Sequence, residues 1–308
     1  MIIFVKKKRL YQYPILNQDI KYKSTLITIK REDLIHPFIS GNKFRKLKYN
    51  IEEAKATNAN ALLTYGGAYS NHIAAVAYAG KAYGIDTIGV IRGEELGLKE
   101  DLNPTLRFAK EHGMHLEFVS REDYRKKTEV DFVDRLRQNF GGFYLLPEGG
   151  TNALAVKGCE EILQPKDENY NYICCAVGTG GTIAGLINAS KASQEVLGFP
   201  ALKGDFLQQD IRKFANQENW KLITDYHFGG YGKIKPELIA FVNRFKADYN
   251  IPLDPIYTGK MLFGIFDLID KGFFPKDTKI LAIHTGGLQG IAGANEILQR
   301  KKMPLIDI

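Results

Sequence analysis

Three observations predict an α/β fold for this 308-residue chain. Strand-like and helix-like patterns alternate almost from end to end, the order that gives a parallel sheet covered by helices on both faces. The strongest strands, Tyr170–Val177 and Lys279–Ile283, are apolar runs of core character. Glycine-rich turns follow strands and open helices. The length suggests about two domains, so the expectation is a two-domain, three-layer αβα architecture with mostly parallel sheets.

Taken in order, Ser24–Asp33 reads as a short β-branched strand leaving a polar turn. Phe44, Leu47, Ile51 and Ala54 recur at helical spacing, with Asn42 as a plausible N-cap. Ala61–Thr64 is a strand, and Asn71–Tyr83 a helix whose alanines suit close packing. Thr87–Ile91 and His115–Val119 are strands flanking a helix at Pro104–His112. Glu122–Phe140 reads as one longer charged helix, followed by a strand at Phe143–Leu146. The helix Asn152–Leu163 leads into Tyr170–Val177, and Thr182–Ser190 is again helical. Glu195–Lys213 shows no single pattern. Beyond it come the strand Trp220–Thr224, helices at Pro236–Ala247 and Gly259–Lys271, the strand Lys279–Ile283 and a closing helix at Leu288–Gln299. No repeat, low-complexity tract or linker marks a boundary.

The composition, 44% hydrophobic and 25% charged, is that of an ordinary globular protein. Apolar runs are strand-sized, well short of the roughly 18 residues a membrane helix needs. Met1–Val5 precedes Lys6–Arg9, the wrong order and too short for a secretory signal, so the expectation is cytoplasmic. Cys159, Cys174 and Cys175 have neither metal-site nor disulfide spacing and read as small core hydrophobes. No metal is expected. The net charge of +7 is scattered over Lys6–Arg9, Arg121–Lys127 and Arg300–Lys302, the middle group diluted by acids. That argues against a nucleic-acid partner and allows a field favouring anionic amino acids and phosphate.

The chemistry centres on Ile39–Leu47, where Lys43 stands at the mouth of a helix beside Gly41 and Lys46 lies one turn on. Two further turns, Thr64–His72 and Val177–Gly185, are rich in Gly, Ser and Thr, the composition of an anion cradle. In the second, Thr179, Gly180, Gly181 and Thr182 follow a strand and open a helix, so backbone N–H groups and the helix start face an anion. A dinucleotide site is the rival reading, weakened by the absence of a ribose-binding acid about 20 residues on. A lysine able to shed its proton beside an anion cradle is what a Schiff-base cofactor bearing a phosphate requires.

Five motifs come in a recognisable order: Gly41-Asn42-Lys43-x-Arg45-Lys46-Leu47, Ser70-Asn71-His72, the Gly178–Gly185 loop, Tyr257-Thr258-Gly259-Lys260 and His284-Thr285-Gly286-Gly287. From about residue 29 to near the C-terminus the chain resembles the pyridoxal-phosphate (PLP) enzymes comprising D-cysteine desulfhydrase and 1-aminocyclopropane-1-carboxylate (ACC) deaminase. The resemblance implies a fold type II PLP enzyme and a homodimer. It implies a large cofactor domain from residues 1–46 and 158–308, with a small α/β domain inserted at about 47–157. Lys43 would carry pyridoxal 5'-phosphate and Lys46 would close the phosphate cradle as a point charge. Asn71 would meet the ring hydroxyl and Ser70 the substrate, although a helix cap accounts for either residue equally well. His72 would orient the substrate carboxylate or cap the helix. Ser70 and Tyr257 are candidates to help at the substrate's α- and β-positions.

Two departures bear on the substrate. The ACC deaminases resembling this chain carry Glu after the Tyr and Leu between the His and Gly-Gly, where this chain has Thr258 and Thr285. Hydroxyls near a pyridine nitrogen make a moderate electron sink, suited to expelling thiolate rather than to opening a cyclopropane. A helix cap and a strand-end turn are the other reading of these threonines. The expected activity is a PLP-dependent lyase converting D-cysteine or a similar small amino acid to pyruvate, ammonia and sulfide. ACC deamination is the alternative within the enzyme class. A non-catalytic PLP or phosphometabolite binder and a nucleotide-dependent dehydrogenase are the readings from other classes.

Overall fold

The computed structural model describes residues 15–307; Met1–Val5 and Lys6–Arg9 lie outside the described residues. The described residues open with an antiparallel hairpin of β1 (Asn17–Tyr22) and β2 (Thr25–Lys30), then α1 (Asn42–Ala56). There follow β3 (Ala61–Gly66), α2 (Asn71–Tyr83), β4 (Asp86–Arg92), α3 (Pro104–Glu111), β5 (Met114–Val119), α4 (Arg121–Arg125), α5 (Val130–Phe140) and β6 (Phe143–Leu146). The remainder is α6 (Ala153–Glu160), β7 (Tyr172–Val177), α7 (Gly181–Ala189), β8 (Glu195–Pro200), α8 (Phe206–Arg212), β9 (Trp220–Leu222), α9 (Pro236–Tyr249), α10 (Thr258–Asp270), β10 (Lys279–Ile283) and α11 (Gly290–Arg300).

These strands form two sheets. One has the order β1-β2-β10-β7-β8-β9, parallel apart from β1; the other is all parallel, β5-β4-β3-β6. The four-stranded sheet is built wholly from chain lying between β2 and β7, strands of the six-stranded sheet.

Period-2 alternation in the strands feeds a core on each face of each sheet. In the larger sheet Cys174, Leu197, Phe199 and Ile280 pack against α9, α10 and α11. Ile173, Cys175, Val196 and Leu281 face the other way, onto α6, α7 and α8. In the smaller sheet Leu62, Ile91 and Leu146 meet α1, α2 and α3, while Leu63, Tyr65 and Val90 meet Tyr124, Phe132 and Leu136. The result is α/β, with helices on both faces of both sheets. All three cysteines are free and buried in these layers.

The structure departs from the sequence expectation in instructive places. β1 is a polar edge strand, Asn-Gln-Asp-Ile-Lys-Tyr, in which Ile20 alone is buried, so no hydrophobic periodicity announces it. Glu122–Phe140 is two helices, not one. At about 100° per residue, Tyr124 would point roughly 80–180° away from Phe132, Val133 and Leu136 in a continuous helix. A break between α4 and α5 lets all four be buried. Glu195–Lys213 separates into β8 and α8.

α1 joins the layers. Its stripe Phe44, Leu47, Ile51 and Ala54 belongs to the core of the smaller sheet. Its other side crosses α6 so closely that a Cβ on Gly158 would lie 2.0 Å from the Arg45 carbonyl oxygen. Asn50, fully buried, stitches the crossing: Asn152 and Tyr144 donate to its Oδ1 at 2.7 and 2.9 Å. A methyl at Gly158 has backbone in its way, whereas Gly142 has open space around it. Gly158→Ala should therefore cost about 2 kcal/mol or more, and Gly142→Ala less than about 0.5 kcal/mol. Thermal unfolding of the two variants beside the parent checks the contrast.

Candidate active site

A cavity of about 1030 Å³ opens where the turns after β2, β3, β7 and β10 converge. Parallel strands end here at their carboxyl ends, where ligands bind in α/β sheets. Lys43, Lys46, Ser70, Asn71, His72, Thr179, Gly180, Thr182, Tyr257 and Thr285 all line it. Gly181 and Thr258 do not.

The site is built from Gly41. Its φ is +59°, and a Cβ there would sit 2.0 Å from the carbonyl oxygen of Thr285, so only glycine lets α1 start against the turn after β10. Asn42 donates its backbone N–H to that same oxygen at 3.3 Å. Gly41, rather than Asn42, is therefore the N-cap. Asn42 is the first helical residue, and its amide donates to Thr182 Oγ1 at 2.8 Å, tying α1 to α7. From behind, Arg45 holds the fully buried carboxylate of Glu32 in two hydrogen bonds, at 2.9 and 3.0 Å.

Lys43 then points into the cavity, where it donates to Asn42 Oδ1 at 3.1 Å. Removal from water, with the Lys46 charge beside it, pulls its pKa down to about 7. A large fraction of its amine is thus neutral at physiological pH and able to act as a nucleophile or base.

Lys46 is 3% exposed and donates to Gly149 O and Thr151 Oγ1 at 3.0 Å and to Thr179 Oγ1 at 3.4 Å. Among the described residues it forms no ion pair. Burial lowers its pKa as well. Beside it, α7 has Gly180, φ +83°, as its N-cap and no side-chain cap, so its first N–H groups are left for another acceptor. A buried cation lacking an acid, two threonine hydroxyls and a free helix N-terminus are a donor set that wants an anion.

Ser70 caps α2, its oxygen accepting from Ile73 N at 3.3 Å, so its proton remains free to donate. His72 is 2% exposed, and its tautomer follows from its partner. Thr64 Oγ1 gives its proton to Leu146 O at 3.0 Å, so His72 Nε2 must donate to Thr64 at 2.9 Å. Nδ1 is left a buried acceptor with no partner, and Asn71 Oδ1 is a second. Burial and the Lys43 and Lys46 charges hold the imidazole neutral, well below its ordinary pKa.

On the opposite wall, burial pushes the Tyr257 phenol well above its usual pKa, so it stays protonated. Tyr231 stands edge-on to it at 6.2 Å. Thr258 is fully buried, its hydroxyl donating to Asp254 Oδ2 at 2.6 Å. Asp254 also accepts from the N–H groups of Ile256, Tyr257 and Thr258 at 2.8 to 2.9 Å and so orders the start of α10. The Thr285 hydroxyl lines the cavity and makes no hydrogen bond among the described residues. Sequence reasoning missed Thr151, Gly149, Asp254 and Tyr231. Asp254-Pro255 was findable as an Asp-Pro turn starter; the others carry no local signal.

Comparison with known proteins decides the family. A model of the family described as pyridoxal-phosphate dependent enzyme matches residues 4–286. The chain belongs to that family. A putative ACC deaminase of Pyrococcus horikoshii is 32% identical over 283 residues, covering 86% of this chain and 85% of the relative. The bifunctional D-cysteine desulfhydrase/1-aminocyclopropane-1-carboxylate deaminase of Arabidopsis thaliana is 31% identical over 296 residues, 87% of this chain and 73% of the relative. A solved ACC deaminase homologue superposes with a TM-score of 0.83 at 28% identity, covering 95% of both chains. An O-acetylserine dependent cystathionine beta-synthase from Helicobacter pylori, at 15% identity and a TM-score of 0.66 over 93% of this chain and 96% of its own, shares the fold.

The cofactor of this family is pyridoxal phosphate, and the residues present fit it. The acid-free buried Lys46 with the uncapped α7 suits the phosphate, the depressed Lys43 suits a carbonyl, and the orphaned acceptors on Asn71 and His72 leave hydrogen-bonding capacity for ligand groups. Covalent attachment of an aldehyde needs the neutral amine, present above the pKa. Reductive labelling of the apoprotein at Lys43 with pyridoxal and cyanoborohydride should therefore rise with pH through about 7. Lys46→Met removes a neighbouring like charge and should move that midpoint upward, while weakening retention of pyridoxal phosphate. Peptide mapping of the labelled protein across pH checks both.

Proposed function

We propose that the protein is a PLP-dependent lyase of small amino acids whose leading substrate is D-cysteine, eliminated to pyruvate, ammonia and sulfide. The observation carrying this reading is the set of acids around the cavity. Glu95, Glu148 and Asp210 line it, and each is already paired with a cation, Arg121 at 2.5 Å, Lys127 at 3.3 Å and Lys213 at 2.6 Å. Thr285, by contrast, offers an unoccupied hydroxyl.

Bound here, pyridoxal phosphate supplies an electron sink for the charge left at the substrate's α-carbon. Lys43 holds it, and its low-pKa amine takes the α-proton and can return one. Lys46, Thr179, Gly180 and Thr182 retain the phosphate, Gly181 serving only as the first residue of α7 behind them, with Asn71 at the ring hydroxyl. Ser70 donates to the substrate, and the neutral His72, whose free nitrogen is an acceptor, helps to fix its orientation. Tyr257, protonated at all physiological pH, hands a hydrogen bond to the group leaving the β-carbon. The Thr285 hydroxyl, with the nearby Asp254 carboxylate committed to Thr258 and to three backbone N–H groups, favours loss of a ready leaving group over opening of an unactivated ring.

The same reading takes residues 47–157 as a small domain against a large one formed by 1–46 and 158–308, and places the protein in the cytoplasm as a homodimer. Each sheet has its own pair of core clusters, although that of the smaller sheet also takes in Ile35, Ile39 and Phe44, and this separation supports a domain able to move as a unit. Scattering profiles of the holoenzyme with and without an unreactive substrate analogue should differ, the liganded form being more compact.

The substrate assignment is tested by pyruvate release from D-cysteine, β-chloro-D-alanine and ACC. The first two should exceed ACC in kcat/KM by about two orders of magnitude, the effect of about 3 kcal/mol in the barrier. Equal or greater efficiency on ACC assigns the alternative, ACC deaminase. A yellow protein that turns over none of the three is the non-catalytic binder.

A further inference from the structure

Arg92 is a charged residue of the cavity with no part in the reading above. Arg92 ends β4, and its exposed side chain lines the cavity on the smaller-sheet side. Among the described residues it forms neither an ion pair nor a hydrogen bond. Its guanidinium is placed, however. Nη2 lies 3.5 Å from where a Cβ on Gly67 would stand, at the head of the turn that carries Ser70 and Asn71. The guanidinium carbon sits 5.6 Å from the ring centre of Tyr124, a residue 3% exposed. The Tyr124 hydroxyl donates to Glu148 at 2.8 Å, and Lys127 pairs with Glu148 at 3.3 Å, so that carboxylate is engaged elsewhere. Across the cleft, burial raises the Tyr231 phenol and the Arg92 charge draws it back down, which puts the guanidinium within electrostatic reach of the opposite wall.

Its surroundings are also cationic. Arg121, Arg125 and Lys127 line the same side; with Arg92 they face two cavity acids there, Glu95 and Glu148. Arg125, like Arg92, has no acidic partner among the described residues. An unpaired guanidinium against a packed aromatic ring, at the lining of an open cleft, is pre-set for bidentate recognition of an oxyanion. The substrate's own α-carboxylate already has donors at the start of α2, and the phosphate has Lys46 and α7. Gly67 has no side chain to separate Arg92 from the turn where the substrate would sit.

We propose that Arg92 forms a subsite for a second anion, so that the preferred substrates are amino acids carrying a negative charge on the side chain or leaving group. This rests on the lyase reading for its chemistry. With S-sulfocysteine, the α-proton is lost, the Cβ–S bond breaks with its electron pair on sulfur, and thiosulfate departs. One water then hydrolyses the enamine to pyruvate and ammonia.

Binding is measured first, because it does not need turnover. Calorimetry on the holoenzyme compares both enantiomers of aspartate and glutamate with alanine and norvaline. At least one diacid should bind tenfold more tightly than the neutral amino acids. Arg92→Ala should abolish that preference, and Arg92→Lys restore part of it. In turnover, the ratio of kcat/KM for S-sulfocysteine over cysteine should exceed ten in the parent and fall at least tenfold in Arg92→Ala. A parent without a diacid preference, or an Arg92→Ala variant that weakens neutral and acidic ligands alike, overturns the proposal; the second result would put Arg92 on the α-carboxylate. Diacid preference without pyruvate from any amino acid would sustain the subsite and sink the lyase reading.

Discussion

The contact between Gly41 and the carbonyl of Thr285 is the point on which the rest of the arrangement turns. Backbone meets backbone there at a distance that excludes even a methyl group. It brings the start of α1 under the end of β10, and Asn42 carries the connection on to Thr182 at the start of α7. Three segments far apart in sequence thus share one corner, and Lys43 emerges from it. The buried Glu32–Arg45 pair braces the corner from behind. Truncating either partner would strand a charge in a dry environment, so the pair acts more as a fixture of position than as a source of net stability.

A second consequence is electrostatic. Lys43 and Lys46 are one turn apart on a helix, and their hydrogen-bond partners among the described residues are amide, carbonyl and hydroxyl oxygens. Both lose hydration, which lowers the pKa of each, and the Lys46 charge lowers that of Lys43 further. The same field keeps His72 uncharged. A phosphate would relieve Lys46 and leave the neutral form of Lys43 useful for chemistry. The cavity is therefore frustrated in a way that an anionic carbonyl cofactor resolves, as expected of a site whose local cost is offset by its ligand.

Other buried ion pairs do a different job. Lys30 and Asp167 are both buried and paired, and Asp167 also accepts from the Gln164 backbone, so they anchor the segment between α6 and β7 against β2. They sit away from the cavity and help to hold the six-stranded sheet at which it ends. The contrast separates buried charge that is matched, and structural, from buried charge left unmatched beside a cavity.

Much of this was legible in the sequence, and for reasons that are local. The apolar stripe of α1, the alanine-rich α2 and the runs of β7 and β10 follow from periodicity, and the glycine-rich turn before α7 declares its conformation by composition. The family motifs supplied the cofactor, and with it the grouping of Lys43, Ser70 and Thr179. What local pattern lacks is phase between segments and knowledge of partners. The break between α4 and α5 exists because one continuous helix could not turn both Tyr124 and Phe132 into the single core they share, and β1 is a strand because β2 has an edge to offer. The sequence offers Thr258 as a cavity hydroxyl, and only the fold shows Asp254 holding it. The depressed pKa of Lys43, the stranded nitrogen of His72 and the unpaired reach of Arg92 are properties of no single residue. They arise from what tertiary packing puts nearby and what it leaves out, and only the folded chain decides that.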